Sequence, residues 1–297
     1  MWRKLRRELL NATQYFVLPA LGALLPWPLA FRLLRRCARW RWLYREEWQA
    51  ALGAARAFLP VEDGEDWAWR YRLTRLVDHA DYWLTRTRSD RWIARHFRRR
   101  DAFPDRPAAV GLFFHWCAGM WGVRALKASG HRSAVLAGRF SPASMGAWVA
   151  YFYGHVRLRE LARSSGLPLL YAPGTVARSV ATLQRGDWII GTPDVPPTET
   201  PLGRPVTLFG RPALFADGLM EIARRAGVPV VIFTCALDLA DGRRDLRVSP
   251  PLDAYDPALR QHVASYWEAL IREQPWAFTL WQAMPAFFQP ASDPAAP

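Results

Sequence analysis

The sequence predicts an α/β protein: a mixed, mostly parallel central sheet flanked by helices, with a hydrophobic, helical membrane-attachment region at its N-terminus. Three observations carry this reading. From Pro107 onward, short apolar runs bounded by glycine and proline alternate with helix-period segments, as expected for parallel strands joined by crossover helices. Residues 11–31, NATQYFVLPALGALLPWPLAF, hold no formal charge and lie between basic blocks. The chain has 297 residues, enough for one large α/β core with an appended helical part.

In chain order, residues 1–7 (MWRKLRR) form the first basic block, and Arg32-Leu33-Leu34-Arg35-Arg36 forms the second. At about 1.5 Å per residue the uncharged stretch between them reaches the length of a marginal membrane span, although Pro19, Pro26 and Pro28 interrupt it. Its Pro-Trp-Pro end is not a signal-peptidase site. Residues 1–45 therefore read as an anchor with basic flanks, inserted in or lying along an anionic leaflet. A buried helical hairpin is the competing reading. Residues 46–290 read as the main domain, with a helical lead-in over 46–106 whose periodicity at 52–59 and 67–84 indicates helices with wet faces. Strands are expected at 109–114, 133–137, 169–172, 187–192 and 228–236, with a further β segment at 246–249. Helices are expected at 121–129, 143–162, 174–185 and 213–226. The Pro/Ala/Ser composition of 289–297 predicts a disordered tail, assigned from 291 to 297.

Charge narrows the partners. The chain carries a net charge of +14 and a sequence pI near 10.6, so it seeks anionic surfaces. Its arginines are interspersed with 16 tryptophans and match no zinc-finger, RNP or helix-turn-helix pattern. No nucleic-acid partner is expected, because no reading device accompanies the charge. Indole and guanidinium groups together suit the lipid headgroup boundary, so membrane lipid is the expected partner. Cys37, Cys117 and Cys235 are odd in number and far apart, which argues against a disulfide framework and a CxxC metal site. A reducing cytoplasmic setting and no metal are expected.

The run Ala108-Ala109-Val110-Gly111-Leu112-Phe113-Phe114-His115 reads as a strand that delivers an imidazole to a helix start. Strand ends that feed helices gather ligand-binding groups in open α/β sheets, and neutral imidazole is a usable base near pH 7. His115 is the first candidate for chemistry, against a core histidine satisfied by one hydrogen bond. Cys117 reads as a small packed side chain rather than a nucleophile, since spacing alone supplies it with no base. A second strand end, Gly191-Thr192-Pro193-Asp194-Val195-Pro196-Pro197, presents Asp194, whose alternative role is a turn or N-cap. The segment from Arg204 to Ala213 contains Gly210 and Arg211 and reads as a basic turn before a helix, suited to an anionic headgroup.

Taken together, these features resemble the bacterial lipid A biosynthesis (Kdo-dependent) acyltransferase family, within the lysophospholipid acyltransferase-like superfamily. The resemblance covers most of the chain. It includes the N-terminal hydrophobic segment, the strand leading to His115, Ala137-Gly138-Arg139, the GDWIIGTPD strand, the VTLFGRPALFADGLMEIARRAGVPVV block and the late segment Phe278-Thr279-Leu280-Trp281. It implies a membrane-associated O-acyltransferase at the cytoplasmic face of the bacterial inner membrane. Such an enzyme moves a fatty acyl group from an acyl carrier protein or coenzyme A thioester to a hydroxyl of a lipid or glycolipid, without a further cofactor. His115 would be the general base, backbone N–H groups near Gly119 would polarise the oxyanion, and Arg139, Asp194, Gly210 and Arg211 would hold the anionic acceptor. An apolar groove would take the acyl chain.

The family motif places Asp or Glu after four residues beyond the histidine, and this chain has Met120 there. Methionine cannot fix an imidazole tautomer or stabilise an imidazolium. Glu160 and Asp194 are the candidate substitute acids by motif position. Trp281 is also followed by Gln282-Ala283-Met284-Pro285, without the family's late basic residues. The alternative function is a noncatalytic lipid-binding or partner-binding descendant of the same fold.

Overall fold

The computed structural model describes residues 2–117, 119–196 and 203–288. Pro197 and the tail at 289–297 lie outside the described residues. The N-terminal region forms α1 (Trp2–Ala12), a π-helical turn (Thr13–Val17), α2 (Leu18–Leu24) and α3 (Trp27–Cys37). It is not one span. The backbone is extended at Leu25, and Pro26 opens α3 in a new direction, since proline at a helix start forfeits no intrahelical N–H. Trp27, Ala30, Phe31 and Leu34 are buried in the main core, and Trp27 Nε1 donates to the Gly242 carbonyl at 3.1 Å. Residues 11–31, read from the sequence as an anchor inserted in or lying along a leaflet, form a broken helical segment that packs partly along α5 (Gly64–Thr87). Among the described residues no helix is long and apolar enough to cross a membrane.

After α4 (Arg45–Ala55), α5 and α6 (Asp90–Arg95), the chain enters an α/β sheet. Among the described residues the strands are β1 (Phe97–Arg100), β2 (Val110–Leu112), β3 (Ser133–Ala137), β4 (Leu170–Tyr171), β5 (Trp188–Gly191), β6 (Gly203–Leu208), β7 (Arg211–Ala216), β8 (Val230–Leu237) and β9 (Arg244–Val248). Seven strands form the central sheet in the order β1-β9-β8-β2-β5-β3-β4, and only the β8–β9 pairing is antiparallel. The intervening helices are α7 (Gly119–Ala128), α8 (Pro142–Met145), α9 (Trp148–Ser165), α10 (Val176–Gln184), α11 (Gly218–Ala226) and α12 (Leu259–Glu273). The mostly parallel, helix-flanked sheet expected from the sequence is present. Strands β2, β5 and β8 are buried on both faces, which is why they read as unbroken apolar runs.

Two elements differ from expectation. Strand β1, FRRR, exposes its three arginines at the sheet edge, where charge discourages further pairing. The helix expected at 213–226 begins only at Gly218, because β6 and β7 form an antiparallel hairpin with Leu208 opposite Arg211. Its two turn residues, Phe209 (φ 49°) and Gly210 (φ 72°), both take positive φ, the geometry of a tight two-residue hairpin loop. Gly210 and Arg211 therefore sit in a β-turn and not at a helix N-terminus.

Candidate active site

The register of β2 and β5 builds the site. These strands are parallel neighbours with Leu112 paired to Gly191, and the Phe113 N–H donates to the Gly191 carbonyl at 3.1 Å. His115 lies three residues beyond Leu112, and Asp194 lies three residues beyond Gly191. The two strands deliver an imidazole and a carboxylate in step to the carboxyl end of the sheet. His115 Nδ1 is 2.9 Å from Asp194 Oδ1, and the His115 backbone N–H donates to Asp194 Oδ2 at 2.7 Å.

This arrangement defines the imidazole chemically. Asp194 has no exposed side-chain surface, whereas 38% of the His115 side chain is exposed. A carboxylate accepting at Nδ1 assigns the proton to that nitrogen and leaves Nε2 with a lone pair. Burial pulls the His115 pKa down, but the Asp194 charge and its hydrogen bond outweigh this, with Arg157 opposing and Asp78 assisting; the result lies above the ordinary 6.5. The group is a carboxylate-oriented base that holds a proton well once it takes one.

The loop carrying His115 is strapped from the C-terminal side. Thr279 donates to the His115 carbonyl from its N–H at 2.9 Å and from its hydroxyl at 3.1 Å. Trp116 forms an antiparallel bridge with Phe278, and the Cys117 N–H donates to the Ala277 carbonyl at 2.9 Å. Cys117 is held at φ 55°, a conformation that turns the chain from the strand end toward α7. The late aromatic segment flagged in the sequence is therefore the clasp of the histidine loop.

The other sequence candidates divide. Gly119 opens α7 near the dyad, where first-turn N–H groups lack intrahelical partners. Met120 is buried in the core, 1% exposed, so its side chain is a packing group. Glu160 is buried and ion-paired to Arg163 at 2.7 Å and Arg86 at 3.4 Å, so the acid beside His115 is Asp194 and not Glu160. Arg139 follows β3 at the same end of the sheet, exposed, over the Tyr171 ring at 5.1 Å. Arg211 lies over Phe288 at 4.6 Å and Phe58 at 5.5 Å, on the hairpin. Its described contacts are with these rings and not with the dyad. Buried Cys117 has its Sγ 3.8 Å from Gln274 Oε1.

The cavity bounded by Phe113, Phe114, Trp116, Phe233 and Cys235 is about 10 Å³, the space of roughly one water molecule. Phe113 and Phe233, with ring centroids 5.6 Å apart, help to fill it. Among the described residues no group of three or more His, Cys, Asp or Glu side chains is arranged for a metal ion.

Sequence reasoning missed the buried polar cluster behind the site. Asp78 on α5 pairs with Arg157 on α9 at 2.6 Å, and Arg157 also donates to the Tyr153 hydroxyl at 3.0 Å. These charges act on His115 from helices distant in sequence, and the only local signal was the run of polar residues within an otherwise buried helical stretch.

Fold and site together define an α/β protein with a His–Asp dyad at adjacent parallel strand ends. The chain matches no family model, and no curated protein matches it.

Proposed function

We propose that the protein is a membrane-associated O-acyltransferase that moves a fatty acyl group from an acyl carrier protein or coenzyme A thioester to a hydroxyl of a lipid or glycolipid. The observation that carries this reading is the His115–Asp194 dyad at the carboxyl ends of β2 and β5. In the reaction, His115 Nε2 takes the proton of the acceptor hydroxyl as its oxygen attacks the thioester carbonyl carbon. Asp194 holds the tautomer and stabilises the imidazolium. Collapse of the tetrahedral intermediate forms the ester, breaks the C–S bond and returns the proton from His115 to the leaving thiolate. N–H groups of the first turn of α7 are the candidate donors for the developing oxyanion. Arg139, at the same sheet end, is the cation best disposed to hold an anionic acceptor.

The noncatalytic alternative drew its force from Met120, which lacks the family's carboxylate. Asp194 weakens that alternative because it supplies an orienting acid from another strand. The proposed setting is the cytoplasmic face of the bacterial inner membrane, in keeping with the basic, aromatic-rich sequence.

The test is a radiolabelled acyl-transfer assay with both thioester types and a native lipid extract. Wild type is expected to form an acylated lipid, and His115→Ala is expected to lose about 10²–10⁴-fold in rate. Full transfer by His115→Ala would refute the assigned base, and no product from folded wild type would return the noncatalytic reading.

A further inference from the structure

Helix α1 is amphipathic, buries none of its residues, and turns its large apolar side chains outward. Trp2, Leu5 and Leu9 fall on one helical face and are 80%, 49% and 60% exposed. Val17, on the following π-helical turn, is 60% exposed. An exposed apolar stripe of this kind normally seeks a partner.

The patch continues onto α9. Both carboxylate oxygens of Glu8 accept from the first turn of that helix, from the Trp148 N–H at 3.0 Å and the Val149 N–H at 2.9 Å. Phe16 packs against Phe152 with ring centroids 6.0 Å apart. Trp148 and Phe152 nevertheless remain 68% and 59% exposed. Glu8 is the only acid on α1, and its carboxylate is turned toward the first turn of α9. What α1 presents to solvent is then apolar surface flanked by exposed Arg3, Lys4, Arg6 and Arg7.

Topology places the α9 part of this patch at the functional end of the sheet. Strands β2, β5 and β3 run parallel, so the carboxyl end of β3 lies at the same edge as His115 and Asp194. The chain leaves β3 there, passes Arg139 and α8, and begins α9 at Trp148 before returning to the parallel strand β4. Trp148 and Phe152 lie in the first two turns of α9, the turns nearest that end.

We propose that α1 and the first two turns of α9 form one surface that docks on an anionic lipid bilayer, in place of a spanning segment at 11–31. Charge complementarity selects this occupant: four exposed cations against one acid turned toward α9 suit a negatively charged headgroup layer, with Trp2, Leu5, Leu9, Trp148 and Phe152 entering the acyl boundary. The geometry deepens the acyltransferase reading, on which it rests for its purpose, by setting the lipid surface beside the strand ends that carry the dyad. The docking itself is measured without turnover.

Sedimentation of the full-length chain with vesicles of phosphatidylcholine containing anionic phosphatidylglycerol tests it, with circular dichroism and thermal melts confirming fold. Wild type and His115→Ala should bind alike, and both should bind less at high salt. Trp148→Ser/Phe152→Ser should weaken binding by about tenfold or more, as should Leu5→Ser/Leu9→Ser, since each pair removes two apolar insertions. Folded double variants that bind as wild type would overturn the proposal. So would wild type that ignores vesicles and forms a dimer that these substitutions dissociate, because a second copy would then be the occupant. Vesicle binding that obeys these variants, in a protein without acyl transfer, would leave the docking surface standing and refute only the enzymatic reading.

Discussion

His115 and His79 show how differently one protein can surround the same side chain. His79 lies inside α5, 1% exposed, with Nδ1 2.9 Å from the Tyr44 hydroxyl and 3.3 Å from the Gln14 carbonyl. Tyr15 and Tyr153 meet its ring at centroid distances of 4.8 and 4.9 Å. Burial, with Arg75 and Arg157 nearby, drives its pKa well below 6.5, so it stays neutral. Arg157 opposes protonation of both histidines, but only His115 has a carboxylate of its own and an exposed surface. Access and a dedicated counter-charge, rather than burial or polarity as such, separate the proposed base from the buried imidazole.

The largest effect should come from removing that counter-charge. Asp194→Asn keeps the size of the side chain but replaces one acceptor oxygen with a donor, facing an imidazole and a backbone N–H that both need acceptors. Acyl transfer should fall by about 10²–10⁴-fold, and the His115 pKa should drop in an NMR titration. Unchanged transfer would place the orienting group elsewhere. Met120→Asp tests the same requirement from the position after four residues beyond His115. Because Met120 is 1% exposed in the core, the variant should lose about 3–5 kcal/mol in urea unfolding and should not rescue Asp194→Asn. His79→Leu should cost less, about 1–3 kcal/mol, as the Tyr44 hydroxyl keeps its bond to the Gln14 carbonyl at 2.7 Å. Transfer per folded molecule should survive that substitution. A collapse of activity in a folded His79→Leu protein would erase the distinction between the two histidines.

Much of this contrast was legible in the sequence, and the rest shows where local pattern ends. Strands β2 and β5 were expected because sheet interiors impose continuous apolar runs, and both residues of the dyad were named at their ends. The pairing was not legible, since it depends on β2 and β5 being neighbours in one register. Motif position offered both Glu160 and Asp194 as substitute acids, with Asp194 also read as an acceptor-binding residue, until tertiary structure gave Glu160 to Arg163 and Arg86. The β6–β7 hairpin was hidden by its Phe209-Gly210 turn, because a phenylalanine at positive φ is a poor turn signal. Residues 11–31 divide between core and surface. Trp27 and Phe31 are buried in the protein core, whereas Val17, Leu24 and Leu29 are exposed, as are Trp2, Leu5 and Leu9 in the charged sequence before them.

The smallest expected effects are two opposed slopes in stability against pH. The folded pKa of His115 lies above 6.5, so its contribution is fully present below the unfolded pKa and is lost as pH rises through the folded value. The folded pKa of His79 lies well below 6.5, so its contribution is present above the unfolded pKa and is lost as pH falls. Each slope is bounded by one proton, about 1.4 kcal/mol per pH unit, and solvent screening of the part-exposed His115 reduces its share. Melting temperatures measured from pH 5 to 8 should therefore fall less steeply toward acid in His79→Leu than in wild type. In His115→Ala they should fall more steeply, because the group that favours the acid side is gone. The same raised pKa sets the acid limb of activity: transfer should decline as pH drops through a value above 6.5, where Nε2 becomes protonated and can no longer accept the hydroxyl proton. If both variants shifted the melting profile in the same direction, the opposite charge preferences assigned to the two histidines would be wrong.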